Sequence, residues 1–128
     1  MQPVWLQKRV VLTLHAEELA RTGGPSGVRD AGALDSALAR PENLLAYGDP
    51  DLAALAAAYA YGIARNHAFV DGNKRASFTA CVTFIRRNGY ELDASDTDCI
   101  TTWLALADGS LDEAALADWL RARMRQVG

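Results

Sequence analysis

Apolar positions recur along this chain at spacings of three and four, the pattern of amphipathic helices rather than strands. Leu6, Val10, Leu14 and Leu19 mark one face of a first helix, and Gly23-Gly24-Pro25 ends it, because paired glycines and a proline do not extend a helix. Asp30 stands where an N-cap belongs for a second helix through AGALDSALAR, with Leu34 and Leu38 on its buried side. Pro41 limits that helix, and the segment from Pro41 to Pro50 reads as loop. Asp49-Pro50 opens a third helix with proline at the first helical position, and Leu52, Leu55, Tyr59 and Ile63 form its stripe. Its many alanines permit close packing, which makes it a central helix.

After a loop from His67 to Asn73, KRASFTACVTFIRRNG predicts a fourth helix with Phe78, Cys81, Val82 and Ile85 inward and Gly89 as its C-terminal cap. Ser95 and Ser110 are expected to cap two further helices, Ser110 with capping-box spacing to Glu113. YELD, after Gly89, is the one candidate for a short extended piece. The expected fold is all-α, with five to seven helices in a single domain over residues 1–128.

Composition narrows the function. With half its residues hydrophobic the chain is globular and large enough for a real core. A net charge of -3 argues against a protein that grips nucleic acid directly, since that needs a basic surface to displace counterions. The longest apolar stretch, LAALAAAYAYGIA, falls short of the roughly 20 residues of a membrane span. The N-terminus shows no secretory pattern, and Cys81 and Cys99 lack metal spacing, so they read as buried thiols of a cytoplasmic protein.

The polar chemistry concentrates in ARNHAFVDGNKRASF. Asp71-Gly72-Asn73-Lys74 precedes a helix whose first turn has unpaired N–H groups and the positive end of the dipole. Gly72 lets a ligand approach the backbone, and Asn73 tolerates the left-handed geometry of an anion nest. Lys74 and Arg75 add positive charge where the dipole disfavours it, which makes sense if a phosphate sits among them. His67 brings an imidazole, the side-chain type suited to a general base near neutrality, and Asp71 is an oxygen ligand of the kind Mg²⁺ takes beside substrate phosphates. These are the parts phosphoryl or nucleotidyl transfer needs, without a P-loop or a protein-kinase motif set. His15, by contrast, reads as a hydrogen-bonded structural histidine.

HAFVDGNKR resembles the motif of the Fic/Doc family, His-x-Phe-x-Asp/Glu-Gly/Ala-Asn-Gly/Lys-Arg. GGPSGVRDAGALDSALARPENLLAYG and FIRRNGYEL are similar to the segments that flank it in the death-on-curing (Doc) branch. The resemblance implies a compact helical bundle with the motif loop between two central helices. Fic adenylyltransferases have glycine after the asparagine and a second arginine three residues beyond the first. Here Lys74 and Phe78 stand at those positions.

The Doc branch carries lysine there, with ATP bound in the reversed direction, and it phosphorylates a threonine of elongation factor Tu and arrests translation. Carried over by position, His67 takes the proton of the attacking hydroxyl and Asp71 holds Mg²⁺. Gly72 and Asn73 line the phosphate nest, Lys74 and Arg75 neutralise the transferring group, Phe69 anchors the loop, and Arg65 and Asn66 are accessory. Thr13 to Glu17 faintly resembles a Fic inhibitory helix, but Glu18 stands where glycine or asparagine belongs, so control falls to a separate antitoxin that folds as a helix into a groove. The alternatives are AMP transfer, to which the intact Gly72 points, and a catalytically silent nucleotide- or anion-binding module.

Overall fold

The computed structural model describes residues 2–127. Six helices follow one another, α1 Lys8–Thr22, α2 Ala31–Ala46, α3 Leu52–Asn66, α4 Asn73–Arg87, α5 Asp96–Asp108 and α6 Glu113–Arg123. Two short strands, β1 Tyr90–Leu92 and β2 Met124–Gln126, pair antiparallel with Glu91 opposite Arg125. The extended YEL segment thus has a partner at the far end of the chain.

Helix α3 is the axis of the bundle. Leu55, Tyr59 and Ile63 are buried as the stripe predicts, but so are the alanines around them, so α3 is enclosed by α2, α4, α5 and α6. Alanine keeps helix propensity high and lets neighbouring backbones approach. Larger side chains from the neighbours fill the remaining space, Phe84 from α4 meeting Tyr59 with ring centroids 4.8 Å apart. Burying side chains of this size contributes about 1.5–3 kcal/mol each. The Tyr59 hydroxyl accepts from the Leu6 N–H at 3.1 Å, and burial pushes its pKa up to about 12. A second polar chain crosses the core: the Trp103 indole donates to Ser77 Oγ at 3.0 Å, and Ser77 donates to the Ala60 carbonyl at 2.6 Å, which ties α5 and α4 to α3.

Several boundaries differ from the expectation. In α1 the buried face is Val11, His15 and Leu19, while Val10 and Leu14 are half-buried and Leu6 is buried ahead of the helix. Pro41 does not end α2, which continues to Ala46; its ring is fully buried, and that packing offsets the hydrogen bond the helix loses. Asp51, not Asp49, caps α3, accepting from the Ala54 N–H at 2.9 Å, so Pro50 stays outside the helix. On α4 Ala76, Ser77, Ala80 and Phe84 join Cys81 and Ile85 in the core, whereas Phe78 and Val82 are half-buried.

Ser95 caps α5 as expected, but Asp112 rather than Ser110 caps α6. Ser110 instead closes the end of α5, its N–H reaching the Ala105 carbonyl at 3.0 Å. Cys81 is fully buried, while Cys99 is only partly so. No described helix is long and apolar enough to cross a membrane.

Candidate active site

The loop between α3 and α4 is held from three directions. On one side Gly27–Asp30 runs antiparallel to it: the Arg29 and Asp30 N–H groups donate to the Ala68 carbonyl at 2.8 and 3.1 Å, and Val70 N–H donates to the Gly27 carbonyl at 3.1 Å. From below, Phe69 is buried with its ring stacked on His15, centroids 3.8 Å apart. From within, the Asn73 side chain clamps the Phe69 backbone, accepting from its N–H and donating to its carbonyl, both at 3.0 Å.

This bracing sustains an unusual backbone. His67 has φ 51° and ψ 45°, and it is the one non-glycine residue with positive φ among those described. Left-handed geometry costs such a residue about 1–2 kcal/mol. The Arg29 guanidinium donates to the His67 carbonyl at 2.6 Å and helps hold it there. Strain kept in place by several contacts is characteristic of functional loops. The His67 imidazole is exposed and forms no hydrogen bond with the described residues.

Helix α4 starts without a side-chain cap. Its N-cap is Gly72, with φ 77°, the conformation that makes glycine the natural choice. Asp71 does not cap the helix; its Oδ1 accepts from the Gly72 N–H at 2.7 Å, and its Oδ2 has no hydrogen-bond donor among the described residues. The N–H groups of Asn73, Lys74 and Arg75 are left without a described acceptor. Asn73 is the first helical residue, so Gly72 supplies the left-handed turn expected of Asn73, and Asn73 contributes its N–H rather than its engaged amide.

Asp71, Gly72, Asn73, Lys74 and Arg75 line one cleft of about 590 Å³, closed on its far side by the end of α1. The turn after α1 comes so near that a Cβ on Gly24 would lie 2.6 Å from Asp71 Oδ2. Neither Lys74 nor Arg75 has a carboxylate partner among the described residues. His67 is at the other end of the loop and does not line this cleft. Arg65 and Asn66 turn elsewhere. The Arg65 guanidinium leans on the Ala107 carbonyl at 3.4 Å, and the Asn66 amide donates to the Ala33 carbonyl at 2.9 Å.

Two supporting residues were not apparent from sequence. His15 is buried, and its Nε2 donates to the Asp71 carbonyl at 2.7 Å, so the structural histidine of α1 is a brace of the loop itself. Arg29 reaches the loop across 38 positions of chain, and no local pattern marks it.

The model of the Fic/DOC family matches residues 5–85, which contain the loop, its braces and nearly all of α1 to α4. The chain belongs to the Fic/Doc family. It is 32% identical over 113 residues to the protein kinase doc of Escherichia phage P1, covering 87% of this chain and 88% of that protein. It is 41% identical over 99 residues to the Toxin Doc of Mycolicibacterium smegmatis, covering 73% and 76%. Within this Fic/Doc chain the cleft combines free N–H groups, two unpaired cations and a carboxylate, an arrangement suited to an anion that arrives with a cation. The donor set decides how Mg²⁺ could be held. No group of three or more potential metal ligands lies together among the described residues, so an all-protein cage does not fit, whereas one carboxylate with a free oxygen beside a phosphate cradle does.

Proposed function

We propose that this chain is a Doc-type toxin that transfers the γ-phosphate of ATP to a hydroxyl of a protein target. The observation that carries the reading is the start of α4, where three N–H groups, Lys74 and Arg75 face a cleft with no counter-charge but Asp71. The names of the two relatives, one a kinase and one a toxin, support the same reading. His67 accepts the proton of the attacking hydroxyl from its exposed position. The α4 N–H groups, Lys74 and Arg75 stabilise the negative charge of the transferring phosphoryl group. Asp71 holds Mg²⁺, which neutralises phosphate charge when bound. Phe69, His15, Arg29 and the Asn73 amide keep the loop in shape.

In this reading the target is elongation factor Tu, the site of action is the cytoplasm, and a small antitoxin restrains the protein by laying a helix into a groove on its surface. The test is intact-mass spectrometry of elongation factor Tu after incubation with this protein, Mg²⁺ and ATP. A gain of one phosphate is expected. His67→Ala should cut the rate roughly 10²–10⁴-fold, the usual worth of a general base, while circular dichroism stays unchanged. A gain of AMP would replace phosphotransfer with nucleotidyl transfer. Full activity in His67→Ala would remove the assigned base.

A further inference from the structure

The base assigned above does not lie in the phosphate cleft. His67 stands exposed at the opposite end of the loop, and the target hydroxyl it deprotonates has to arrive on that side. A groove of about 450 Å³ opens at the residue before it. Asn66 forms one end, and the floor runs along α2 through Ser36, Arg40 and Asn43 to Leu44 and Tyr47. Spacings of three and four put these α2 residues on one face. The Asn66 amide, bound to the Ala33 carbonyl at 2.9 Å, fixes where α2 passes the base.

This groove is built unlike the phosphate cleft. The one cation in its lining, Arg40, is neutralised by Glu113 of α6, with Nε to Oε1 at 2.8 Å, and its guanidinium sits over the Tyr61 ring, 5.1 Å from the centroid. A phosphate gains little where the positive charge already has its counter-ion. The rest of the lining is neutral. The Ser36 hydroxyl and the Asn43 side-chain amide have no hydrogen-bond partner among the described residues, and the Asn66 side-chain oxygen has none either. Such groups supply both donors and acceptors, which suits an extended peptide backbone with its own N–H and C=O groups to satisfy. An amphipathic helix would need an apolar groove instead. Apolar surface is confined to the far end, where Leu44 is 36% exposed and Tyr47 is 91% exposed. A tyrosine that buries almost nothing in the fold is free to anchor a partner, and tyrosine is among the residues that dominate binding surfaces.

We infer that the groove along α2 receives an extended segment of the target protein, the one that carries the accepting hydroxyl, with the hydroxyl at His67 and an apolar side chain of the same segment on Leu44 and Tyr47. The inference rests on the phosphotransfer reading and adds the surface by which the target is chosen. The reach of the segment follows from helix geometry. Tyr47 lies fourteen positions beyond Ala33, about 21 Å along the helix axis, which about six residues of extended chain span. The apolar side chain therefore stands about six residues from the hydroxyl.

The experiment is steady-state transfer from ATP, in Mg²⁺, to elongation factor Tu at varied concentrations of that protein. Tyr47→Ala is expected to raise KM for the protein target about tenfold and Leu44→Ala severalfold, with kcat unchanged, because the segment is held equally before and during transfer. Calorimetric titration should give both variants the parent's affinity for ATP. Neither position is buried, so the fold survives. Val4→Ala, 50% exposed and bonded to Asn88 at the other end of α4, controls for the loss of an exposed apolar side chain and should leave KM as it is. Unchanged KM in both groove variants overturns the groove and leaves phosphotransfer standing. Unchanged KM with loss of self-association in sedimentation gives the groove to a second copy of this chain, and unchanged KM with escape from the antitoxin on co-expression gives it to the antitoxin; either overturns the proposal. No transfer by the parent protein overturns the phosphotransfer reading and the groove with it.

Discussion

Helices α4 and α5 pack against each other and begin in opposite ways. At α5, Ser95 accepts from the Asp98 N–H at 3.1 Å, and Asp96 and Asp98 bring negative charge to the positive end of the dipole. At α4 there is glycine instead of a cap, and Lys74 and Arg75 add charge of the same sign as the dipole end. Each such charge works against the helix by something on the order of 0.3–1 kcal/mol. Helix α1 also lacks a side-chain cap and starts with Lys8 and Arg9, but there Lys8 pairs with Asp35 at 2.8 Å and Arg9 with the Gln7 side chain. The start of α4 is therefore the place where unsatisfied donors and unpaired cations coincide over a cleft. A helix start optimised for stability looks like α5; one left open for an anion looks like α4.

Making α4 begin as α5 does, with an acidic side chain at its start, should have the largest effect. Gly72→Asp puts a carboxylate among the free N–H groups and beside Lys74 and Arg75. ATP affinity should fall at least ~100-fold, because the new anion takes the phosphate's place. Aspartate tolerates the left-handed conformation better than most residues, so the cost in stability should stay within about 1–2 kcal/mol. Parallel nucleotide titration and thermal melting measure the two effects. Unchanged ATP binding would mean that the phosphates do not lie on this helix start.

Next in size is the brace beneath the loop. His15→Phe keeps a ring to stack on Phe69 but removes the donor to the Asp71 carbonyl. The bond is part-buried, so leaving that carbonyl without its donor costs at most about 1–3 kcal/mol. A shift of the loop by about 1 Å is enough to slow transfer by roughly 10². Steady-state kinetics should show the loss in kcat, with His15→Gln, which retains a donor, recovering part of it. A loss confined to stability would reduce His15 to a core residue.

The contrast between local and distant causes also explains what could be foreseen. The caps at Asp30 and Ser95 were legible because the accepting side chain and the donor N–H lie within one turn. The loop composition was legible for the same reason. On α1 Leu6 and Leu19 are buried as the spacing predicts, but Val10 and Leu14 fit that spacing as well as Val11 and His15 do, and tertiary packing puts the latter two inside. Pro41 was read by its backbone chemistry, but its buried ring decides its place. His15 and Arg29 meet the loop across 56 and 38 positions of chain, and β2 meets β1 across the length of α5 and α6. No local pattern records such contacts.

A capped helix that does not border the phosphate cleft provides the converse test. Asp112 accepts from the Ala115 N–H at 2.8 Å at the start of α6. Asp112→Ala should lower stability by about 0.5–2 kcal/mol in urea unfolding, the ordinary worth of an N-cap. The transfer rate at saturating target should not change. A change in rate of the size expected for Gly72→Asp would show that the rate follows global stability, and the distinction between the two kinds of helix start would lose its functional meaning.

The smallest effect separates the charge of a cap from its geometry. Asp51 caps α3 and is also bound by Arg121 of α6, with Nε to Oδ2 at 2.6 Å and Nη2 to Oδ1 at 3.0 Å. The Arg121 hydrogen bond, helped by the Ala54 N–H, holds the Asp51 carboxyl below its ordinary value of 3.8. A carboxyl whose pKa is lower in the folded state stabilises the fold fully above its unfolded value, and that contribution disappears as pH falls through the folded one. An asparagine side chain still caps a helix, so Asp51→Asn removes the charge alone. Both side chains of the ion pair are about half exposed, which limits the loss to about 0.2–1 kcal/mol at neutral pH. Urea midpoints of the parent and Asp51→Asn should therefore differ slightly at pH 7 and converge below pH 3.8, and they should also draw together in high salt. A difference that persisted at low pH would assign the contribution to cap geometry, and the tie between α3 and α6 would then owe nothing to charge.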